Sequence, residues 1–368
     1  MEAPMSHAEK AAWRFHPYEI ALVGYQNSGK TTLATKLVTG LGLSLAYIKR
    51  DAHHFDLDKP GKDTHTLSRA GAHSVFISDR NHRAHLSQEP MHSILSRTDF
   101  LEEDAALVEG HKSSPVPKIV LLDNDLAILA DPTLERNTVL AYAGPWASAP
   151  DGLDLPYFCR DDDSTLTAFI RGFWDAQTAM RPLLGLVLTG GRSTRMGSDK
   201  AALSYHGQPE ATRMFHLLKE FCPEVYVSCR ADQADDAGRQ GLPQIHDTHL
   251  GLGPLSGLLS AFQARPEASW LVVACDLPAV DHATLAHLLQ GRNPFRFATA
   301  FRGHEELPEP LCAVYEPKAR SRLYQFLAAG YDCPRKMLIH SPVALLDLPK
   351  PDRLRNFNTP EEAHAFHG

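Results

Sequence analysis

Residues 24–31 read G-Y-Q-N-S-G-K-T and lie between an apolar run, Glu19–Val23, and a helical pattern, Lys30–Leu41. The stretch matches G-x-x-x-x-G-K-[ST], a phosphate-binding loop that requires a strand before it and a helix after it. Its glycines let successive backbone N–H groups converge on phosphate oxygens at a helix N-terminus. The sequence therefore predicts a site for a nucleoside triphosphate with Mg²⁺. The predicted contacts are Asn27, Ser28, Gly29, Lys30, Thr31 and Thr32.

Two side chains of this loop, and one carboxylate further along the chain, have defined expected roles. Lys30 is expected to neutralise the β- and γ-phosphates, and the hydroxyl of Thr31 is expected to ligate Mg²⁺. Glu109 ends the apolar run Ala105–Val108 and is the predicted acidic contact to that Mg²⁺, although a solvated carboxylate at a strand end explains it nearly as well. The N-K-x-D pattern of guanine-specific GTPases does not follow, so the loop alone leaves the base open.

Apolar runs alternate with helical patterns along both halves of the chain, which predicts mostly parallel sheets covered on both faces. The predicted fold class is α/β, with two tandem three-layer domains: an N-terminal P-loop NTPase-like domain and a C-terminal Rossmann-like domain. The predicted strands are Glu19–Val23, Leu45–Ile48, Val75–Ile77, Ala105–Val108, Ile119–Leu122, Val139–Tyr142, Leu183–Leu188, Val225–Ser228, Gln244–His246, Trp270–Cys275, Phe297–Phe301 and Ala344–Leu346.

Length and composition limit the organisation and the class of the protein. The 368 residues exceed the roughly 250–300 at which one core stops growing, so two domains are expected. We place a flexible N-terminus at 1–17, a first domain at 18–180 and a second at 183–368, because Pro182 disfavours a continuous helix. The net charge of -7 argues against nucleic-acid binding by bulk charge. Singly scattered cysteines and the lack of a run of about 20 apolar residues predict a cytoplasmic protein without membrane contact.

A second candidate phosphate-binding loop opens the second domain. Residues 188–200 read L-T-G-G-R-S-T-R-M-G-S-D-K and close the apolar run Leu183–Leu188. Three glycines in this stretch permit positive φ and a close approach of the backbone to a ligand. Arg195 and Lys200 supply positive charge suited to a triphosphate and to a leaving pyrophosphate.

Two acids close apolar runs of the second domain. Transfer of a nucleotide needs a cation held by carboxylates near the phosphates. Asp276 follows the run Trp270–Cys275, and Asp247 follows the shorter run Gln244–His246. Open α/β sheets bind ligands at the carboxyl ends of their strands. Asp276 is therefore the predicted Mg²⁺ ligand and Asp247 a weaker candidate, with a helix N-cap as the alternative for such an acid.

The first half resembles the molybdopterin-guanine dinucleotide biosynthesis adaptor family. The resemblance rests on the P-loop, on D-K-P-G-K-D at 58–63 and on L-V-E-G-H-K at 107–112, and it covers most of residues 18–179. It implies a domain that binds GTP, hydrolyses it feebly at most, and assists a partner enzyme.

The second half resembles the molybdenum cofactor guanylyltransferase family. The motifs are L-x-G-G-R-S-x-R-M-G-x-D-K at 188–200, G-P-L-S-G at 253–257, C-D-L-P at 275–278, P-E-P at 308–310 and N-F-N-T-P-E-E at 356–362. The resemblance implies transfer of GMP from GTP to the terminal phosphate of Mo-molybdopterin, with release of pyrophosphate. It also implies downstream partners, namely a molybdenum-insertion protein and apo-molybdoenzymes or their chaperones.

The family roles carry over to matching positions of this sequence. Lys200, Arg195 and Asp276 would be catalytic, and Asn356 and Asn358 would approach the pterin. The implied nucleotide contacts are Leu188, Thr189, Gly190, Gly191, Lys200, Asp247 and Asp276. Two positions depart from the pattern: Thr189 stands where the family usually has Ala, which we expect to add a hydroxyl beside the base pocket, and Ser228 stands near a position that is often Asn.

Three hypotheses follow from these residues. The first is a guanylyltransferase fused to its adaptor. The second keeps the enzyme class but uses another nucleotide, as in a CTP-dependent cytidylyltransferase or a sugar-1-phosphate nucleotidyltransferase. Related cytidylyl enzymes tend to carry L-A-A-G, and Gly190 here favours the larger purine. The third is a GTP-binding scaffold without catalysis, against which the presence of Lys200 and Asp276 argues.

Overall fold

The computed structural model describes residues 13–49, 58–88, 96–189, 207–236 and 238–355. The chain divides into two compact units, Met1–Arg171 and Gly172–Gly368. This division falls inside the helix Asp163–Met180, whereas we placed the boundary just after that helix.

The first unit is built around a parallel sheet of six strands, ordered β2-β5-β1-β6-β7-β8. The strands of this unit are β1 (Glu19–Val23), β2 (Leu45–Lys49), β3 (Ser74–Ser78), β4 (Arg83–Ser87), β5 (Ala105–Glu109), β6 (Lys118–Leu121), β7 (Val139–Gly144) and β8 (Tyr157–Cys159). The helices that begin in this unit are α1 (Lys30–Gly40), α2 (Asp63–Arg69), α3 (Ser96–Asp99) and α4 (Asp163–Met180), and α4 continues into the second unit. Every residue of β1 and β5 is buried, so both faces of the sheet are covered there.

Two expectations about the first unit need correction. The strand predicted at Val75–Ile77 is β3, and it pairs antiparallel with β4 in a separate hairpin instead of joining the parallel sheet. The predicted flexible N-terminus also ends before residue 17, because Phe15 and His16 are buried. The carboxylate of Glu19 fixes this turn by accepting hydrogen bonds from the backbone N–H groups of residues 14, 15 and 16. Residues 1–12 lie outside the described part of the chain.

The second unit contains a seven-stranded sheet ordered β11-β10-β9-β12-β14-β13-β15. Its strands are β9 (Leu183–Leu188), β10 (Val225–Cys229), β11 (Gln244–His246), β12 (Ser269–Ala274), β13 (Ala298–Arg302), β14 (Pro308–Tyr315) and β15 (Val343–Leu346). Its further helices are α5 (Glu210–Lys219), α6 (Pro254–Ala264), α7 (His282–Gln290), α8 (Ala319–Ala328) and α9 (Pro334–Ile339). The neighbours β11, β10, β9 and β12 run parallel, so their carboxyl ends meet at one edge of the sheet.

The sequence pattern did not predict three strands, β4, β8 and β14, of which β14 is the longest. Strand β14 runs antiparallel to both of its neighbours, β12 and β13. Two prolines at its start, Pro308 and Pro310, argue against a strand in the sequence, because proline is disfavoured inside a sheet. Both units nevertheless have the predicted α/β fold with parallel central strands, which confirms the fold class. No helix in the described residues is long and apolar enough to span a membrane.

Candidate functional sites at two sheet edges

The P-loop of the first unit joins β1 to α1 through left-handed backbone. Asn27 has φ 65° and Gly29 has φ 88°, and Gly29 directly precedes the first residue of α1. The free N–H groups at the start of a helix attract anions, and the positive φ values turn the chain so that these groups face the loop. Thr31 and Thr32 are exposed in this first turn, while Ser28 is buried. The six predicted contact residues are therefore consecutive around one helix N-terminus.

Lys30 is held over the loop by the loop's own backbone. Its ammonium Nζ donates to the carbonyl oxygens of Gly24, at 3.0 Å, and of Tyr25, at 2.7 Å. Burial lowers the pKa of Lys30, and the nearby charge of Glu109 opposes that shift. The cation is thus positioned at the loop by the loop's own carbonyl groups.

Glu109 is buried at the carboxyl end of β5 and contacts three side chains. It accepts hydrogen bonds from the hydroxyl groups of Tyr47 and, at 3.4 Å, of Thr31, and its Oε1 lies 3.4 Å from Nζ of Lys49. Burial raises the pKa of Glu109, but the hydrogen bond from Tyr47 and the charges of Lys49 and Lys30 outweigh it, so the pKa lies below its usual value. The structure therefore brings the two predicted Mg²⁺ contacts of this unit, Thr31 and Glu109, into contact as a hydroxyl and a carboxylate.

Sequence reasoning missed a second cation at the P-loop. Arg160 follows β8, and its Nη1 donates to the carbonyl oxygen of Ser28 at 3.1 Å. A Cβ atom at Gly29 would lie 3.3 Å from that same nitrogen. No motif marks this arginine, because it lies about 130 residues after the loop and reaches it only through the pairing of β8 with β7.

An ion pair beside the loop holds its tyrosine. Nζ of Lys112 lies 2.7 Å from Oδ2 of Asp131 and 4.8 Å from the centroid of the Tyr25 ring, while the Tyr25 hydroxyl donates to the same carboxylate at 3.2 Å. Hydrogen bonds from Lys112 and Thr133 hold the pKa of Asp131 well below its usual range. The ring of Tyr25 is thereby fixed at the second position of the P-loop.

In the second unit the candidate site lies at the carboxyl ends of four neighbouring strands. Leu188 and Thr189 stand at the end of β9, Ser228 near the end of β10, Asp247 directly after β11, and Asp276 two residues after β12. Parallel pairing places these ends side by side. The remaining predicted residues, Gly190, Gly191, Arg195, Lys200, Asn356 and Asn358, lie outside the described residues, and their roles stay predictions.

The side chain of Thr189 is held by hydrogen bonds inside the second unit. Thr189 is 5% exposed, and its hydroxyl donates to the carbonyl oxygen of Ser228 at 2.8 Å. The guanidinium of Arg239 also contacts this hydroxyl, at 2.9 Å. The hydroxyl is thus used inside the unit, and the expectation that it stands beside the base pocket stays a prediction. No sequence motif indicated that Arg239 would bind Thr189.

Asp247 is half-buried and accepts a hydrogen bond from the Ser228 hydroxyl at 2.8 Å. Burial raises the pKa of Asp247, and this hydrogen bond opposes the shift. The packing beside the pair depends on Gly257 of α6. A Cβ atom at Gly257 would lie 2.4 Å from Oγ of Ser228 and 2.6 Å from Cδ2 of Leu188. Gly257, the last residue of the G-P-L-S-G segment, is therefore required for close packing of α6 against β9 and β10.

Asp276 lies half-buried in the turn after β12. Arg213 of α5 holds this turn, with Nη2 donating to the carbonyl oxygen of Pro278 at 3.0 Å and Nη1 to that of Val280 at 3.1 Å. Glu309 of β14 is a charged neighbour: burial, together with the negative charge of Asp276, raises the pKa of Glu309. The turn thus presents a carboxylate at a fixed position, next to a second acid.

A cleft of about 340 Å³ lies between the start of α6, the start of β14 and the start of α9. Its walls include Gly253, Pro310, Cys333 and Arg335. Nη2 of Arg335 lies 3.0 Å from Oε2 of Glu309, so the arginine is half-exposed at the cleft and held by a carboxylate. Sequence reasoning did not single out this arginine, which follows Pro334 in an otherwise undistinguished stretch.

The oxygen donors of both sites suit a small divalent cation that also binds phosphate. Within the described ranges, no group of three or more His, Cys, Asp or Glu side chains could hold a metal ion. Mg²⁺ is usually held by one or two protein oxygens together with phosphates and water. The oxygen pair of Thr31 and Glu109 and the single carboxylate of Asp276 fit that pattern, and neither fits a metal bound by protein alone.

Two family models match the chain, one to each unit. The model described as molybdopterin guanine dinucleotide synthesis protein B matches residues 19–144, and the model described as a MobA-like NTP transferase domain matches residues 185–342. Among relatives, the molybdenum cofactor biosynthesis bifunctional protein of Synechocystis is 37% identical over 191 residues, which cover 51% of this chain and 54% of that protein. The match thus spans about half the length of that relative.

A second relative is matched over nearly its whole length. The molybdenum cofactor guanylyltransferase of Pseudomonas fluorescens is 30% identical over 188 residues, which cover 49% of this chain and 91% of that protein. A crystal structure of molybdopterin-guanine dinucleotide biosynthesis protein A from Archaeoglobus fulgidus has 24% identity and a TM-score of 0.43, over 50% of this chain and 95% of that one. The first half of the chain matches the model of molybdopterin guanine dinucleotide synthesis protein B. On the match to the Pseudomonas enzyme, the chain belongs to the molybdenum cofactor guanylyltransferase family of nucleotidyltransferases.

Proposed function

We propose that this chain transfers GMP from GTP to Mo-molybdopterin, forming Mo-molybdopterin guanine dinucleotide and pyrophosphate, while its first unit binds GTP as a fused adaptor domain. The observation that carries the proposal is the convergence of Thr189, Asp247 and Asp276 at one edge of the second sheet, next to the start of the 188–200 loop. That edge is where open α/β sheets bind nucleotides.

In the proposed reaction an oxygen of the pterin's terminal phosphate attacks the α-phosphorus of GTP. A new P–O–P bond forms, the bond between the α-phosphorus and the bridging oxygen breaks, and pyrophosphate leaves with its electron pair. Such transfers depend mainly on positioning and on electrostatic stabilisation, so no protein nucleophile is required. Lys200 and Arg195 would balance the charge that develops on the leaving pyrophosphate.

Mg²⁺ is the proposed cofactor of both units. In the second unit Asp276 would hold it, and bound Mg²⁺ would neutralise phosphate charge. In the first unit the Thr31 hydroxyl and the Glu109 carboxylate would hold it beside the P-loop. The support is the chemistry of the donors, since hard oxygen ligands suit this cation.

The cleft at Arg335, whose partner Glu309 is a charged neighbour of Asp276, is proposed to take the acceptor. Arg335 supplies a positive charge at its wall, which suits a phosphate, and guanidinium groups bind phosphates with two parallel hydrogen bonds. Asn356 and Asn358 would contact the pterin. A molybdenum-insertion protein, and apo-molybdoenzymes or their chaperones, are the proposed partners before and after the reaction, and the cytoplasm is its proposed location.

The direct test supplies the full chain with Mo-molybdopterin, Mg²⁺ and either GTP or CTP, and measures pyrophosphate and the dinucleotide formed. We expect the guanine dinucleotide, with one pyrophosphate released for each. Product from CTP alone would replace the proposal with a cytidylyltransferase. No product from either nucleotide, with GTP still bound, would favour a scaffold.

A further inference from the structure

Arg239 is a fully buried cation in the second unit that none of the proposed reaction steps uses. It lies in the turn between β10 and β11, close in sequence to Asp236, whose Oδ2 is 3.4 Å from its Nη1. Burying a guanidinium is costly unless its donors are satisfied with good geometry. The groups that satisfy it therefore indicate what this residue does.

Two of its donors bind one residue. Nε donates to Oγ1 of Thr189 at 2.9 Å, and Nη2 donates to the carbonyl oxygen of Thr189 at 2.9 Å. These nitrogens lie on one edge of a planar guanidinium, so they fix the position and the orientation of Thr189 together. A lysine has a single nitrogen on a flexible stem and cannot reproduce this arrangement.

The contact to the carbonyl concerns the loop directly. Thr189 is the residue from which the chain leaves β9 into the 190–200 stretch. Because the peptide unit is planar, a hydrogen bond to the Thr189 carbonyl sets the direction in which the chain leaves the strand. Arg239 therefore controls the base of the phosphate loop.

The contact to the hydroxyl extends to Asp247. A threonine hydroxyl has one proton, and Thr189 donates it to the carbonyl oxygen of Ser228 at 2.8 Å, which leaves its lone pairs for Arg239. The hydroxyl of Ser228 in turn donates to Oδ1 of Asp247 at 2.8 Å. One chain of hydrogen bonds thus runs from Arg239 through β9 and β10 to the acid at the end of β11.

We propose that Arg239 is a positioning residue for the nucleoside triphosphate of the second unit. Through Thr189 it fixes where the phosphate loop begins, and through Ser228 it fixes that point relative to Asp247. The inference rests on the proposed transfer reaction for its kinetic test, and on nucleotide binding for a second test that does not need the reaction.

The kinetic test compares Thr189→Val with Thr189→Ser in the full chain. Valine keeps the shape of threonine but removes the hydroxyl, whereas serine keeps the hydroxyl and serves as the matched control. We expect the KM for GTP to rise about tenfold in Thr189→Val, because roughly one charge-assisted hydrogen bond is lost. In Thr189→Ser the KM for GTP should rise less than threefold. The KM for Mo-molybdopterin should stay within twofold of the wild-type value in both variants.

Arg239→Lys gives the reciprocal test, and thermal melts check that each variant is folded. The KM of this variant for GTP should also rise. The double variant Thr189→Val/Arg239→Lys should bind GTP no more weakly than the worse single variant, because both changes break the same contact between Arg239 and Thr189. A purely structural role would lower the melting temperature and the amount of active enzyme, but would leave the KM for GTP unchanged. That pattern, or strictly additive losses, would overturn the inference.

A binding measurement separates this inference from the proposed reaction. Calorimetric titration with GTP in a Lys30→Ala background, where the P-loop lacks its lysine, reports mainly on the second unit. If the wild type formed no dinucleotide, the proposed function would fail, yet weaker GTP binding in Thr189→Val than in Thr189→Ser would still support the role of Arg239. Equal affinities in the two variants would overturn it.

Discussion

The two nucleotide sites differ in how their residues are distributed along the chain. In the first unit six neighbouring residues of the P-loop surround one helix N-terminus, and the loop's own carbonyl groups hold Lys30. In the second unit the described site residues come from the ends of four strands, and arginines from other segments hold them: Arg239 at Thr189, and Arg213 at the turn after Asp276.

This difference has a physical consequence. A consecutive loop obtains most of its geometry from local backbone conformation, so it tolerates change elsewhere in the unit. A site assembled from strand ends depends on sheet register, on helix packing and on buried ion pairs. Substitutions far from such a site therefore change its geometry. The variants below test whether the two sites respond in these different ways.

The largest effect is expected at Asp276. Asp276→Asn keeps the size of the side chain but removes the charge proposed to hold Mg²⁺, so the rate of GMP transfer should fall about 100-fold or more. The matched control is Asp347→Asn, because the Asp347 side chain is 91% exposed and pairs with Arg302 at the surface. The measurement is pyrophosphate release at saturating GTP, and comparable rates in the two variants would remove Asp276 from the proposed site.

The next effect concerns the consecutive site. Lys30→Ala removes a cation with two hydrogen bonds to the loop, and GTP binding by the first unit should weaken by about 10- to 100-fold. Calorimetry on the full chain should then show one class of tight GTP site where the wild type shows two. Arg69→Ala, which removes an exposed cation at the end of α2, should leave both classes in place. Two unchanged classes in Lys30→Ala would mean that the P-loop does not bind GTP as proposed.

The two sites also differ in how far the sequence predicts them. The first site follows from a spaced motif, because the strand, the glycines and the helix all lie within a few residues of Lys30. Glu109 was also predictable, since it closes an apolar run that forms a buried strand. Arg160 was not, because its contact with Ser28 depends on which strands pair at the sheet edge.

For the second site the sequence predicted where the acids lie but not what surrounds them. Asp247 and Asp276 could be assigned because each closes an apolar run, a local pattern. The partners of Thr189 could not be assigned, because Arg239 lies 50 positions away in an irregular turn and carries no periodic pattern. The antiparallel strand β14, which brings Glu309 towards Asp276, was missed because the prolines at its start are typical of loops.

A packing variant tests how the distributed site depends on its surroundings. In Gly257→Ala the new methyl group would meet Ser228 and Leu188 at distances that require movement, at a cost of about 1–3 kcal/mol. We expect the melting temperature to fall by several degrees and the KM for GTP to rise, because the Ser228–Asp247 hydrogen bond shifts. Gly172→Ala in α4 is the control: a Cβ atom there meets nothing within 4 Å, so the variant should gain about 0.5–1 kcal/mol of helix stability. A melting temperature of Gly257→Ala equal to that of the wild type would show that α6 can move without cost.

The smallest effect is a pH dependence at Glu109. The folded-state pKa of this carboxyl lies below its ordinary value of 4.5, because Tyr47 and two lysines favour the ionised form despite its burial. Its contribution to stability is therefore complete above about pH 4.5 and is lost as the pH falls through the lower folded-state value. At pH 7 the melting temperature of Glu109→Gln should lie below that of the wild type. This difference in melting temperature should shrink as the pH falls below about 4.5. Glu102→Gln, whose side chain is 46% exposed, controls for the loss of a surface charge. A gap that persists unchanged into acid would mean that glutamine disturbs the packing around Tyr47, and that the charge of Glu109 does not stabilise the P-loop unit.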